Sequence, residues 1–355
     1  MADNELIDFI EQVSGGAHIR VEENLGSGFV RLRTEEAERR QAKHDIRQVE
    51  DIVIEMLRNA RDAQASAVFI ATIKEGDVRS LVVIDDGEGI PSNLHKLIFE
   101  PRVTSKLETM HEDEWGVHGR GMALFSIKSN VTSAKVITSA PGLGSAMAVQ
   151  IDTSLLKEKT DQSTFPTIEK DDKGNLHATR GPHNILRSAV EFALIYPKTP
   201  DVYLGSPATI AATLLEYGHK QLSNDDLLFC DDLQTLPVSQ RLAASTDAGD
   251  LMVNCAHLGL DISERTAHRI LSNQIPPAIP LLDMAKGGQA QKGPADLMKD
   301  SRSLKLAKED VEAFSREMER AFEVLAQRYY LSLTDMPKIT VKGDVISVRF
   351  PIEKD

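Results

Sequence analysis

Residues 55–63 read Glu55-Met-Leu-Arg-Asn59-Ala-Arg-Asp62-Ala63, within a stretch where Val49, Ile52, Val53, Met56, Leu57 and Ala60 recur every three or four positions. That period predicts an amphipathic helix running from Thr34 to Ala63. Glu55, Asn59 and Asp62 fall at i, i+4 and i+7, so they project together beside the apolar stripe. An amide oxygen is a hard ligand suited to Mg²⁺, and a carboxylate one turn away can polarise water. Alone, polar residues at this spacing are most often a solvated helix face, so the reading turns on the segments that follow.

Two apolar runs, Ala67 to Ile73 and Ser80 to Ile84, flank the turn Glu75-Gly-Asp77 and predict a β-hairpin. The second run leads directly into Asp85-Asp-Gly87-Glu-Gly89-Ile90, which places the Asp85 carboxylate at a strand end over a bend that glycine permits. A third segment, Gly116-Val-His-Gly119-Arg-Gly121-Met-Ala-Leu124, precedes a helix predicted over Met122 to Ser129. Free backbone N–H groups at a helix start favour polyphosphate. The glycine spacing is not that of a dinucleotide fingerprint, and no βαβ unit surrounds it. Strands predicted at Ala134 to Ser139 and Ala146 to Ile151 bracket the fourth segment, Gly142-Leu-Gly144-Ser145.

In this order and on these elements, the four segments resemble the Bergerat-fold, or GHKL, ATPase superfamily of DNA gyrase B, heat-shock chaperones, histidine kinases and MutL. The resemblance implies an α+β fold: a two-layer α/β sandwich, a mixed sheet with helices on one face, followed by a mostly α-helical domain. It implies ATP and Mg²⁺ as ligands, Asn59 as the metal ligand, Glu55 as the water-polarising base and Asp85 as acceptor of the adenine amino group. Around them it assigns Asp62, Gly87, Gly89, Ile90 and Ser145 to nucleotide binding, with Ser145 standing where the family carries threonine. Gly116, Gly119, Arg120, Gly121 and Met122 would face the phosphates. Ile98-Phe-Glu-Pro-Arg-Val-Thr-Ser-Lys106 resembles the lid segment of histidine kinases, and Thr104-Ser105-Lys106 also the MutL version. Arg102, Thr104 and Lys106 would then meet the terminal phosphates when the lid closes.

Around this core, residues 1–34 are expected as an N-terminal extension, 35–155 as the ATP-binding domain and the polar run 156–183 as a linker. Residues 184–355 are expected to be mostly helical, with a terminal hairpin across Lys342-Gly-Asp344. Within them, 252–272 resembles a helix-turn-helix that would turn Arg265, Thr266, His268 and Arg269 toward DNA. A capped helix hairpin inside a helical domain is the plainer reading. Residues 183–217 bear a fainter likeness to the corresponding part of the ATP-binding subunit of topoisomerase VI. His44-Asp45-Ile46-Arg47 resembles a phosphoacceptor box, but it lies about three turns before Asn59 on the same predicted helix, so His44 reads as a surface or packing residue.

Composition narrows the classes. The 355 residues, 41% hydrophobic, can bury a core of two or three domains. With 41 Lys+Arg against 54 Asp+Glu, the net charge of −13 argues against a surface that tracks nucleic acid throughout, so DNA binding would need a local basic patch. Cys230 and Cys255 stand far apart, without disulfide or metal-ligand spacing, and read as buried thiols in a reducing compartment. No run reaches the length of a membrane span, and a cytoplasmic protein without membrane partners is expected. The expected function is ATP hydrolysis driving a conformational change, with an unidentified protein client or DNA as partner and a homodimer as one assembly. A histidine kinase-like signalling protein and a non-hydrolysing nucleotide sensor are the alternatives.

Overall fold

The computed structural model describes residues 21–33, 36–104, 111–113, 116–118, 121–223, 232–287, 308–329, 331–342 and 345–354. Two compact units divide the chain, residues 1–298 and 299–355. The first begins with the hairpin β1 (Val21–Gly26) and β2 (Phe29–Leu32), followed by α1 (Glu36–Asp45) and α2 (Val49–Asp62). Next come β3 (Ala67–Glu75) and β4 (Val78–Asp85), then the short strands β5 (Val103–Thr104), β6 (His111–Asp113) and β7 (Gly116–His118). Helix α3 (Ala123–Asn130) leads into β8 (Ser133–Ser139) and β9 (Ser145–Asp152), and β10 (Thr167–Lys170) pairs with β11 (Leu176–Arg180). The unit continues through α4 (Ile185–Ile195), β12 (Asp201–Gly205), α5 (Pro207–Gln221), a 3₁₀ helix (Val238–Ala244), α6 (Ala248–His257), α7 (Glu264–Leu271) and α8 (Leu281–Lys286).

The central sheet has the order β12-β3-β4-β9-β8; β12 runs parallel to β3 and the other pairs are antiparallel. It is the mixed sheet of the expected α+β fold. Residues alternate between its faces. On one, Val68, Ile70, Leu81, Val83, Met147 and Val149 pack against Ile52, Met56 and Leu57 of α2, Ile127 of α3 and Ile185, Ala189 and Phe192 of α4. Each such buried side chain contributes about 1.5–3 kcal/mol. On the other, Phe69, Val82, Ile84 and Ala146 meet α5, the 3₁₀ helix, α6 and α7 through Ile210, Leu214, Leu242, Leu251, Cys255 and Ile270. The sheet is thus also covered on the face opposite α2, by helices contributed from residue 206 onward. The near-continuous apolar run of β3, Ala67 to Thr72, is buried throughout and is what burial on both faces requires.

One sequence expectation differs from the structure. The helix predicted from Thr34 to Ala63 is broken between α1 and α2, because the Asp51 carboxylate accepts from the backbone N–H of Arg47 (2.8 Å) and Gln48 (3.1 Å) and caps a new helix. The run at 156–183, expected as a linker, lies within the first of the two units. That run is pinned to the ATP-site layers by polar contacts: Glu158 pairs with Arg79 and Lys74 at 2.8 Å. Buried Gln162 donates to Glu50 (2.8 Å) and accepts from the N–H of Ile185 (2.9 Å). Asn184 donates to the carbonyls of Asp161 and Thr164 and caps α4. Beyond it, β12 returns to the sheet beside β3 in parallel register. Most polar side chains of the run face water, but Glu158 and Gln162 reach buried partners and tie it down.

The segment expected as a helix-turn-helix is the hairpin α6–α7, with Gly259 at φ +81° in the turn and Ser263 capping α7. Its apolar residues belong to the second face of the sheet. Arg265 and His268 are exposed, whereas Thr266 and Arg269 are partly covered. Cys255 is buried, which raises its thiol to about 12; Cys230 lies outside the described residues. No helix among the described residues is long and apolar enough to cross a membrane.

In the terminal unit, α9 (Lys308–Tyr329) is followed by β13 (Leu331–Leu333), the hairpin β14 (Lys338–Lys342) and β15 (Val345–Arg349), and β16 (Ile352–Lys354). The hairpin pairs from Lys338 with Arg349 to Lys342 with Val345, as the sequence predicts. Phe322 of α9 stacks on Phe350 with ring centroids 5.0 Å apart.

The pair Glu158–Arg79 yields a prediction, because the two side chains are 4% and 0% exposed. Burial alone would raise the Glu158 carboxyl, but the hydrogen bonds and charges of Arg79 and Lys74 together hold it below its ordinary 4.5. A depressed carboxyl contributes stability that is complete above its unfolded value and lost as pH falls through the folded one. Glu158→Gln should therefore flatten the loss of stability below about pH 4.5. Glu158→Ala, which strands the buried guanidinium, should cost about 3–5 kcal/mol in urea unfolding at neutral pH. A loss within about 0.5 kcal/mol would show that the segment is not anchored through this pair.

Candidate functional site

Strand β4 ends in Asp85, whose register partner across the sheet is Ser145, the first residue of β9. Position 85 shares the parity of Leu81 and Val83, so its side chain lies on the face that packs against α2. The Ser145 hydroxyl donates to Asp85 Oδ2 at 2.5 Å and the Gly87 N–H to Oδ1 at 2.9 Å. The carboxyl is 3% exposed. Burial, opposed by these two hydrogen bonds and assisted by the neighbouring charge of Asp86, raises its pKa to about 6. A buried carboxylate held by two donors retains capacity to accept one more from an amino group.

Backbone closeness around Asp85 is greatest at two glycines of positive φ. Gly89 sits at φ +70°, and a Cβ there would lie 1.9 Å from the Ala140 carbonyl oxygen. Gly144 sits at φ +78°, where a Cβ would lie 2.1 Å from the Asp85 carbonyl oxygen. Ser139 ties the two loops together: its hydroxyl accepts from the Ile90 N–H at 2.7 Å and donates to the Gly144 carbonyl at 2.8 Å. The sequence reading missed Ser139, whose only signal is a serine ending β8 just before the Pro-Gly-Leu-Gly turn.

A cavity of about 870 Å³ opens above Asp85 and runs along α2. It is lined by Glu55, Asn59, Asp62, Asp85, Gly89, Ile90, Thr104, Gly121, Met122 and Ser145, which the structure thus gathers from segments spread over ninety residues of chain. That volume is in the range of small-molecule sites. Met122, Ala123 and Leu124 line it at the start of α3, where first-turn N–H groups carry the positive end of the helix dipole. Ser27 and Phe29 of the first hairpin, Gln41 and Asp45 of α1, and Met147 also line it, none of which the sequence reading assigned to the site. Strand β2 reaches the cavity because it pairs with β5, Val30 opposite Thr104, so the N-terminal segment builds one wall.

The predicted polar residues are held by their neighbours in specific ways. Glu55 Oε1 accepts from Arg58 Nη1 at 2.5 Å. Asp62 pairs with Arg61 at 2.7 Å, and that guanidinium lies 4.5 Å over the Tyr196 ring. Among the described residues, buried Asn59 Nδ2 has no hydrogen-bond partner. An unsatisfied buried amide costs about 1–3 kcal/mol, so this side chain suits a polar ligand in the cavity. Among the described residues no three His, Cys, Asp or Glu side chains gather as a metal-ligand set. Arg102, at φ +56°, is not among the residues lining the cavity, and its guanidinium pairs with Glu38 of α1. Gly116 belongs to β7, and Lys106, Gly119 and Arg120 lie outside the described residues.

Comparison with known proteins agrees with this geometry. Residues 47–179 match the family model described as "Histidine kinase-, DNA gyrase B-, and HSP90-like ATPase". The chain is similar to the DNA mismatch repair protein MutL of Thermodesulfovibrio yellowstonii, 39% identical over 89 residues, which are 24% of this chain and 16% of that protein. It is 36% identical to MutL of Staphylococcus carnosus over 113 residues, 30% of this chain and 17% of that protein. To MutL of Lactiplantibacillus plantarum it is 33% identical over 159 residues, 41% of this chain and 23% of that protein. The matched part thus spans less than a quarter of those relatives. Residues 47–179 carry an ATP-binding domain of the GHKL superfamily with a MutL-like sequence.

The environment of Asp85 generates a base-recognition test. Guanine presents a carbonyl where adenine presents an amino group, so GTP should bind at least about 100-fold more weakly than ATP. Since the donor prefers the ionised carboxyl, adenosine affinity should be full above about pH 6 and decline below it. Asp85→Asn should weaken binding and remove that pH dependence. Calorimetry from pH 7.5 to 5.0 decides; equal ATP and GTP affinities would leave Asp85 as an ordinary turn residue.

Proposed function

We propose that the cavity binds ATP with Mg²⁺ and that the chain hydrolyses it to change the state of the helices covering the second face of the sheet. The observation that carries this reading is the juxtaposition of a buried acceptor, Asp85 with Ser145, and the Glu55–Asn59 wall in one cavity. The Asp85 end reads the base. Asn59 would hold the metal through its amide oxygen, while its buried Nδ2, a donor, suits a phosphate oxygen, and bound Mg²⁺ would supply charge neutralisation at the phosphates. First-turn N–H groups of α3 bind the polyphosphate, and Glu55 orients and polarises the attacking water.

Coupling to the helical layer is supported by bonds that cross from the site to it. Asp86, beside Asp85, accepts from Ser66 and, at 3.1 Å, from the Tyr217 hydroxyl of α5. The carbonyl of Leu143, in the loop next to Ser145, accepts from the Val238 N–H at 2.8 Å, and Arg241 donates to Thr138 at 2.9 Å. Movement of either nucleotide loop therefore strains a bond to the far layer. The MutL relatives are named for DNA mismatch repair, and DNA or a protein partner engaged through this layer, within a cytoplasmic homodimer, is the corresponding proposal.

A second reading, a nucleotide sensor without turnover, is favoured by the engagement of Glu55 with Arg58. Incubation with γ-labelled ATP separates the classes. Hydrolysis releases free phosphate, a kinase-like activity labels protein, and a sensor does neither while binding tightly. Wild type should release phosphate, with Glu55→Ala slower by about 10²-fold or more yet still binding a non-hydrolysable analogue. Asn59→Ala should lose Mg²⁺-dependent nucleotide binding while remaining folded. Undiminished binding by Asn59→Ala removes the metal assignment, and turnover unchanged in Glu55→Ala removes the base.

A further inference from the structure

Resting on the assignment of Glu55 to water activation, we infer that Arg58 is a latch on Glu55 that the terminal phosphate of the nucleotide releases. Arg58 follows Glu55 by three residues on α2, its guanidinium Nη1 lies 2.5 Å from Glu55 Oε1, and both side chains line the cavity beside Asn59. The pair is unequal: the Arg58 side chain is 5% exposed and that of Glu55 20%. The cation is therefore anchored in the wall while the carboxylate stands toward the opening. Two anions can compete for one guanidinium here, and a terminal phosphate, with more negative charge and three acceptor oxygens, is the stronger partner. While Arg58 holds Glu55, one carboxylate oxygen is occupied by a charge-assisted bond and is withdrawn from water. Once Arg58 turns to phosphate, that oxygen of Glu55 can orient the nucleophile. The exchange makes activation of the base conditional on a γ-phosphate and leaves ADP unable to trigger it.

The latch predicts a coupling that a purely structural ion pair does not. The affinities of ADP and of a non-hydrolysable ATP analogue, each with Mg²⁺, are measured by calorimetry for wild type, Glu55→Gln, Arg58→Met and the double variant, with Arg58→Lys as the charge-preserving control. Removing the competing carboxylate in Glu55→Gln should tighten the analogue about 5- to 30-fold and leave ADP within about twofold, a coupling of ordinary magnitude for contacting residues. Arg58→Met should weaken the analogue by a similar factor with ADP unchanged, and in that background Glu55→Gln should no longer tighten it. Arg58→Lys should recover part of the discrimination. If Glu55→Gln tightens the analogue equally with and without Arg58, the effect is through-space repulsion and the latch is refuted. If Arg58→Met weakens ADP and the analogue alike, or binds neither, the residue only supports the wall and the latch is likewise refuted; the lysine variant, read the same way, covers a failure of the methionine variant to fold. Wild-type binding of both nucleotides tests the site assignment separately, since it stands whatever Arg58 does.

Discussion

Strand β4 must present apolar side chains to both faces of a buried sheet and still end in a carboxylate on the correct one. Leu81 and Val83 pack under α2 and Val82 and Ile84 under the helices of the far layer, so its register is fixed from both sides. A slip of one residue would exchange the two sets and carry Asp85 to the other face. The pairing of Asp85 with Ser145 and the burial that lifts the carboxyl to about 6 both follow from that register. So does the position of the cavity, because α2 packs on the same face and turns Glu55, Asn59 and Asp62 toward the strand end.

Around this frame, polar side chains do the joining that the apolar pattern cannot. Gln162 and Asn184 tie the segment after β9 to α2 and α4, and Ser139 holds the loops after β4 and β8 to each other. Buried polar groups of this kind contribute modestly when satisfied and cost heavily when a partner is lost. They therefore specify one arrangement of the loops more than they stabilise it. The Asp85 end of the cavity is built on those bonds, whereas at its other end Glu55 is held by Arg58 on the same helix.

The covering of the sheet's second face bears on function as well as on packing. Helices α5 to α7 pack on Phe69, Val82 and Ile84, one residue out of phase with the side chains that face the nucleotide layer. The bonds from Asp86 to Tyr217 and from Leu143 to Val238 connect the same two layers at their polar edge. A displacement at the loops beside Asp85 and Ser145 is thereby opposed or transmitted by a close-packed layer, since such interiors deform little.

The sequence by itself determined the elements and the chemistry that depends on local spacing. Period 3.6 placed α2, apolar runs placed β3 and β4, and the glycines at 87 and 89 marked a bend at the end of β4. These are consequences of side-chain period and backbone freedom, which neighbours in sequence decide. The resemblance to the GHKL superfamily followed from the same four segments, and the family match of residues 47–179 agrees with it. What only the tertiary structure decided depends on partners far away in the chain. The polar run at 156–183 is an anchored segment because Glu50, Arg79 and Lys74 await its side chains, a fact invisible in composition. Likewise β12 joins the sheet across more than a hundred residues of intervening chain, the first hairpin becomes a wall of the cavity through β5, and Arg102 turns to Glu38. Each is a long-range choice among partners of similar chemistry, which burial and register settle once the chain has folded.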